Sequence, residues 1–123
     1  MNNLDLIKIA TDHINEQYAE GKHHVATALK TKSQIYLAVH LDTKGFDVCA
    51  EPIAISNSLA AKDTEYEAIV AVVKNKDQST RVISPCGNCR QILLEYAPEI
   101  NVIVGSEDKY ITLKPGELLP NPY

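Results

Sequence analysis

Three cysteines and one glutamate form the pattern in this chain with the clearest chemical meaning. One residue separates Cys49 from Glu51, and Cys86 and Cys89 follow later in a Pro-Cys-Gly-Asn-Cys sequence. A catalytic Zn²⁺ takes three protein ligands and keeps a fourth position open for water. A carboxylate beside that position can move protons to and from the water. The pattern therefore predicts a zinc site with three cysteine ligands, in which Glu51 acts as acid and base.

Other interpretations of the same residues stay open at this point. Cys86 and Cys89 alone form a Cys-x-x-Cys sequence, which is also typical of redox pairs. A purely structural zinc site would take a fourth protein ligand, and a histidine could supply it. Glu51 could be an ordinary carboxylate in the first turn of a helix. We prefer the catalytic interpretation because it accounts for both cysteine segments and the glutamate together.

Size and charge limit the class of protein. The chain has 123 residues, of which 45% are hydrophobic and 23% charged, as expected for one globular domain. The net charge is −4 and the basic residues are scattered, so we expect a small neutral or cationic substrate and no nucleic-acid partner. No segment approaches the roughly 20 apolar residues that span a bilayer. We expect a cytoplasmic protein without membrane contact.

The hydrophobic pattern predicts the elements that would position these residues. Helices are predicted over residues 3–19, 49–62 and 88–96. Strands are predicted over residues 25–29, 35–41, 68–73, 81–84 and 100–104, with a weak edge strand over residues 110–113. Residues 42–48 are predicted to be a polar loop, and residues 117–123 a tail interrupted by prolines. The alternation of strands and helices indicates a mixed α/β sheet with helices on both faces.

Both cysteine segments lie where a loop or strand end enters a predicted helix. Three thiolates on Zn²⁺ leave a net negative charge, which would raise the pKa of a bound water. A helix N-terminus carries roughly half a positive charge and has N–H groups that can donate to sulfur. We therefore predict that two helix starts, together with Arg90 next to Cys89, offset the thiolate charge.

Six short segments carry a family resemblance. They are residues 22–25 (KHHV), 38–42 (AVHLD), 48–51 (VCAE), 81–90 (RVISPCGNCR), 95–98 (EYAP) and 117–120 (ELLP). Together they resemble the cytidine deaminase superfamily, with the closest likeness to blasticidin-S deaminases, from about residue 15 to residue 123. The resemblance implies one zinc-dependent domain over residues 1–123, with a three-layer α-β-α fold and a mixed five-stranded sheet. It also implies hydrolysis of the cytosine 4-amino group of a nucleoside-like substrate.

The resemblance implies further roles around the expected pocket. The main-chain N–H of Ala50 would contact the pyrimidine carbonyl, and the carbonyl of Ser84 would accept from the leaving amine. His40 and Asp42 occupy the positions where cytidine deaminases hold the sugar with an Asn and a Glu. The family is typically tetrameric, with neighbouring subunits completing each pocket, so a homotetramer is expected.

The expected substrate depends on a few positions. His24 and Tyr123 match substrate-contacting positions of blasticidin-S deaminases, and Asp42 in an acidic protein suits a cationic tail. We therefore expect blasticidin S or a related aminoacyl nucleoside antibiotic, with cytidine or deoxycytidine as the alternative. Pro52 stands where nucleoside deaminases usually have an Arg, which leaves charge compensation to Arg90 and the helix starts. An alternative of another class is a catalytically silent, zinc-stabilised binding module.

Overall fold

A mixed β-sheet forms the centre of the computed structural model, which describes residues 1–106 and 109–123. The helices are α1 (Asn3–Gln17), α2 (Ala50–Ala60), α3 (Gly87–Tyr96) and α4 (Pro115–Leu118). The strands are β1 (Val25–Thr31), β2 (Ile35–Val39), β3 (Leu41–Asp42), β4 (Asp47–Val48), β5 (Tyr66–Lys74), β6 (Thr80–Ile83), β7 (Asn101–Ser106) and β8 (Lys109–Leu113). Among these residues, no helix is both long and apolar enough to cross a membrane.

The main sheet has the strand order β2-β1-β5-β7-β8, and β6 pairs with β5 outside this path. β5 runs parallel to β7 through Ala68 and Ile69, whereas β6 pairs antiparallel with the second half of β5, from Ala71 to Lys74. The remaining pairs of the path are antiparallel. The mixed sheet is confirmed. The sheet has six strands, one more than the five-stranded sheet that the resemblance implied. β6 itself lies where a strand was predicted over residues 81–84.

Helices cover both faces of the sheet, as the α-β-α prediction required. Successive residues of a strand point to opposite faces, so β1 and β5 contribute to two separate cores. One core lies under α1 and contains Leu6, Ala10, Ile14, Ala26, Ala28, Val70, Val72, Val82 and Ile103. The other lies under α2 and α3 and contains Leu29, Ala38, Ala50, Ala54, Ile55, Ile69, Leu93, Ala97, Ile100, Val102 and Val104. The second core supports the cysteine segments.

The first helix begins as its sequence dictates and ends two residues before the predicted limit. The Asn2 side chain accepts from the N–H of Asp5 at 2.9 Å, and the Asp5 carboxylate accepts from the N–H of Asn2 at 3.2 Å, a reciprocal cap. At the other end Ala19 and His23 exchange main-chain hydrogen bonds of 3.0 and 2.9 Å. This turn, around Gly21 at φ +76°, directs the chain into β1 in place of another helical turn.

Two short elements replace segments that were predicted to be irregular. Residues 42–48 were expected to form a loop, but Asp42 and Asp47 are partners in the β3–β4 pair. The second predicted strand accordingly ends at Val39 and not at residue 41. Near the C-terminus, α4 has Pro115 in its first turn, and the Glu117 carboxylate accepts from the N–H of Lys114 at 2.9 Å. Both elements are too short to produce a hydrophobic period.

Candidate metal centre and active site

The three cysteines converge at the start of two helices. Cys49 and Cys86 are the residues immediately before α2 and α3, and Cys89 lies in the first turn of α3. The Cys86 sulfur is 3.5 Å from that of Cys49 and 3.4 Å from that of Cys89. All three sulfurs lie within 4.8 Å of one another. Tetrahedral zinc with Zn–S bonds of about 2.3 Å separates its sulfurs by about 3.8 Å, so small adjustments of the side chains would let this cluster hold zinc.

The N-termini of α2 and α3 differ in their hydrogen bonding to the thiols. The N–H of Cys89 donates to the Cys86 sulfur at 3.5 Å, whereas Cys49 makes no side-chain cap hydrogen bond within the described chain. Burial raises the pKa of Cys86, but hydrogen bonds from Cys89, Cys49 and the N–H of Asn88 together outweigh this effect and leave the pKa below its ordinary value. Burial raises the pKa of Cys49 and of Cys89. A divalent cation in contact with all three sulfurs would keep these two thiols deprotonated.

Glu51 is a buried carboxyl group beside this cluster. Its exposed fraction is 5%, in the first turn of α2. Burial raises the pKa of Glu51, while its own N–H, Cys89 and Thr27 act in the opposite direction. The Thr27 hydroxyl makes no hydrogen bond of standard geometry among the described residues. A carboxyl pKa moved toward neutrality suits a group that must both accept and return a proton.

A cavity of about 150 Å³ opens between the cysteines and β1. Its lining residues are Val25, His40, Cys49, Ala50, Glu51, Ile83, Ser84 and Cys86. The structure thus brings Ala50, Ser84 and His40 to the same cavity as Glu51. Ligand pockets usually measure about 300 to 1,000 Å³, so this space suits one ring of a substrate. The remainder of a larger substrate must extend beyond it.

His24, His40 and Asp42 lie together at the edge of this cavity. The imidazole centroids of His24 and His40 are 4.2 Å apart, with ring planes at 73°. Burial, and then His24, lower the pKa of His40, whose Nδ1 has no hydrogen-bond partner in the described chain. His24 and Asp42 line a groove of about 300 Å³. The three residues therefore stand between the groove and the cavity.

Arg90 and Tyr123 occupy positions that the sequence did not indicate. The Arg90 guanidinium donates to the main-chain carbonyls of Pro85 and Leu118, each at 2.8 Å. These carbonyls, and not thiol sulfurs, are its hydrogen-bond partners among the described residues. The Tyr123 side chain is fully exposed, and its N–H donates to the Gln91 side chain at 3.2 Å. Charge compensation by Arg90 and substrate contact by Tyr123 stay predictions.

Sequence reasoning missed several residues of the site. Thr27 faces Glu51, and Val25 and Ile83 line the cavity. The period of two in β1 was the available signal, because it places Val25 and Thr27 on the face that carries α2. Asp47 was also missed. A side-chain hydrogen bond and charge from Asp42 raise the pKa of Asp47, a consequence of the β3–β4 pairing.

Comparisons with known proteins identify the family. The sequence profile of the cytidine and deoxycytidylate deaminase zinc-binding region matches residues 1–106. This chain belongs to the cytidine and deoxycytidylate deaminase family. A blasticidin-S deaminase from Bacillus cereus is 37% identical over 127 residues, which cover 98% of this chain and 91% of that protein. A cytidine deaminase from Mycoplasma genitalium is 27% identical over 103 residues, covering 80% and 77%.

Solved structures agree with this assignment. A cytidine deaminase from Burkholderia pseudomallei superposes with a TM-score of 0.79 at 28% identity, and each chain is fully covered. A cytidine deaminase from Bacillus anthracis gives 0.80 at 21% identity over 98% of this chain and 88% of its own, which shows the shared fold. The deaminase is thus a zinc-dependent hydrolase that acts on a cyclic amidine, and its cysteine cluster can hold the zinc.

Proposed function

We propose that this deaminase hydrolyses the 4-amino group of a cytosine ring carried by a nucleoside-like compound. Ammonia leaves and a keto group remains on the ring. The observation that supports this reaction best is a buried Glu51 on the wall of the cavity that Cys49 and Cys86 also line. Residues 1–123 act as one domain in this proposal.

The residues of the cysteine cluster and Glu51 divide the chemistry between them. Cys49, Cys86 and Cys89 bind zinc, which supplies a Lewis acid able to make water nucleophilic near neutral pH. Glu51 accepts one proton from the attacking water and gives it to the ring nitrogen. It then accepts the proton of the hydroxyl now on the ring carbon and gives it to the departing amine, which leaves the keto group. Its burial keeps bulk water from competing for these protons. Because burial raises its pKa, Glu51 holds a proton more readily between the two transfers.

Main-chain and side-chain groups around the cavity orient the substrate. The N–H of Ala50 donates to the pyrimidine carbonyl, and the carbonyl of Ser84 accepts from the leaving amine. Both residues line the 150 Å³ cavity. His24, His40 and Asp42 hold the sugar where the cavity meets the groove, since one ring fills the cavity and the sugar must lie outside it.

The preferred substrate is blasticidin S or a related aminoacyl nucleoside antibiotic. Its support is the 37% identity to a blasticidin-S deaminase, together with the groove next to the cavity. Glu20, Asp42, Lys74 and Lys76 all line this groove. Lys76 lies 3.7 Å from Glu20, and Lys74 donates to the side chain of Asn15 at 2.9 Å. Asp42 is therefore positioned to attract a cationic tail.

A homotetramer with shared active sites in the cytoplasm completes the proposal. Phe46 is 71% exposed and Leu41 is 43% exposed, and both belong to the β3–β4 segment next to the site. Burying these apolar side chains against a neighbouring subunit would be favourable. The exposed Tyr123 would contact the substrate in such an assembly. Light scattering on purified protein is expected to give the mass of four chains, and the mass of one chain would contradict this part.

Parallel assays on zinc-loaded protein test the substrate. Blasticidin S, cytidine and deoxycytidine are each followed by the loss of cytosine absorbance and by ammonia release. We expect the highest kcat/KM with blasticidin S. Turnover of cytidine alone would overturn the antibiotic preference and leave the reaction intact. No ammonia from any of the three compounds, at one zinc per chain, would favour the silent binding module.

A further inference from the structure

His24, His40 and Asp42 form a second cluster of metal-ligating side chains, separate from the cysteines. One ligand atom of each residue lies within 4.8 Å of the other two. Two imidazoles and one carboxylate are ligands that Zn²⁺, Co²⁺ and Ni²⁺ accept. We propose that this cluster binds a second divalent transition-metal ion. The site goes beyond the proposed function and does not depend on it.

The burial of His40 supports this second site. Its exposed fraction is 8%, and its Nδ1 has no hydrogen-bond partner in the part of the chain that the structure describes. A buried polar nitrogen without a partner is unfavourable, and native structures rarely leave one so. The main chain at this residue is fixed, because the carbonyl of His40 contacts Nδ1 of His23 at 2.9 Å. A metal ion would supply the partner that the imidazole lacks.

Charge and access favour a cation at the same place. Asp42 is the partner of Asp47 in the β3–β4 pair, and both carboxyl groups are close enough to His40 to act electrostatically on its imidazole. The lysines of the adjoining groove have other partners than Asp42, since Lys74 donates to Asn15 and Lys76 lies 3.7 Å from Glu20. The 300 Å³ groove reaches both His24 and Asp42, and it gives an ion a path from solvent.

Occupation of this site would affect catalysis. His40 also lines the 150 Å³ cavity, so an ion bound to it would stand where the sugar is proposed to bind. The second ion and the substrate therefore compete, and excess divalent metal inhibits the enzyme. This consequence, unlike the site itself, rests on the proposed function.

Cobalt titration of protein that already carries zinc on its cysteines tests the site directly. We expect one further equivalent of Co²⁺ to bind, with weak d–d absorption and without the intense sulfur-to-cobalt charge-transfer band of thiolate ligation. His24→Ala and Asp42→Asn should each weaken this binding at least about tenfold, since even outer-sphere partners have effects of that size. His13→Ala, which changes a histidine of α1 outside both clusters, is the control and should bind cobalt as the unaltered protein does.

Three results would overturn the second site. They are no further equivalent in the unaltered protein, a thiolate charge-transfer band from the added cobalt, and unchanged binding in both variants. Retention of one zinc per chain confirms that each variant is folded. In kinetic assays, cobalt at the concentration that fills the second site should raise KM, equally in His13→Ala. An active enzyme whose KM does not change at that concentration would disprove the competition alone.

Discussion

The Arg90 guanidinium donates a 2.8 Å hydrogen bond to the main-chain carbonyl of Leu118, and this bond ties α3 to α4. The same side chain donates to the carbonyl of Pro85, the residue directly before Cys86. One cation therefore fixes the approach of the chain to a predicted zinc ligand and the C-terminal helix at once. The planar guanidinium holds its N–H donors in fixed directions and can donate to both carbonyls at once, which suits this position better than a lysine ammonium.

Replacement of Arg90 should weaken zinc binding for two reasons. The chain before Cys86 would no longer be held in place, and a nearby positive charge would be lost. Arg90→Met removes both hydrogen bonds and should lower the free energy of unfolding by about 2 kcal/mol and zinc affinity by roughly 10- to 100-fold. Arg90→Lys keeps the charge without the planar guanidinium, and we expect it to recover only part of each loss. Chelator competition and urea unfolding measure the two quantities. Full recovery of zinc affinity by Lys would show that charge alone matters.

Glu51→Gln should separate catalysis from metal binding. The amide has nearly the same shape as the carboxyl group but cannot shuttle protons, so kcat should fall by roughly 10²- to 10⁴-fold. Zinc content should stay near one per chain, because the three sulfurs are unchanged. Glu65→Gln, at an exposed position, serves as the control and should keep the unaltered rate. A Gln variant with undiminished turnover would remove Glu51 from the mechanism.

Metal removal should destabilise the protein. We expect purified protein to contain about one zinc per chain and Cys86→Ala to lose it, because two remaining thiols bind zinc far more weakly. A chelator should lower the unfolding midpoint of the unaltered protein, and added zinc should restore it. Elemental analysis and calorimetry provide these measurements. Protein without stoichiometric metal, and with a disulfide between Cys86 and Cys89, would support the redox interpretation.

Gly105→Ala should be strongly destabilising. The residue has φ +114°, and a Cβ at this position would lie 2.3 Å from the carbonyl oxygen of Lys109. Because the obstacle is main chain, the strand pair must shift, and we expect a loss of at least about 2 kcal/mol in unfolding free energy. Gly45→Ala is the matched control, since no described atom lies within 4 Å of its added Cβ. Equal stability of the two variants in urea would contradict the β7–β8 geometry.

Tyr36 should make stability fall at alkaline pH. Its hydroxyl donates to the Asp63 carboxylate at 2.9 Å, and desolvation together with Asp63 raises the pKa of Tyr36 above 10.0. The stability linked to this group is therefore fully present below pH 10 and is lost as the pH rises through the raised pKa. In urea unfolding, Tyr36→Phe should lose less stability at alkaline pH than the unaltered protein. Tyr96→Phe changes an exposed ring and should lose as much as the unaltered protein.

Residue chemistry made part of this structure predictable. The cysteine spacing indicated a metal site because ligand types are read directly from the sequence, and long apolar periods located α1, α2, α3 and the main strands. The β3–β4 pair and α4 were missed because two and four residues are too short for a period. The partners of Arg90 and the place of Thr27 beside Glu51 depend on contacts between distant segments, which no local pattern encodes.

The unequal starts of α2 and α3 have a consequence for preparations that are short of metal. The thiol of Cys86 caps α3, whereas Cys49 gives α2 no such cap among the described residues. Without zinc, the start of α2 would therefore keep less support than the start of α3, and a displacement there would move a ligand and the proton carrier together. A sample with zinc in half of its chains should then behave as a mixture of fully active and inactive molecules. Its maximal rate should be half that of the fully loaded enzyme, and its KM should be unaltered.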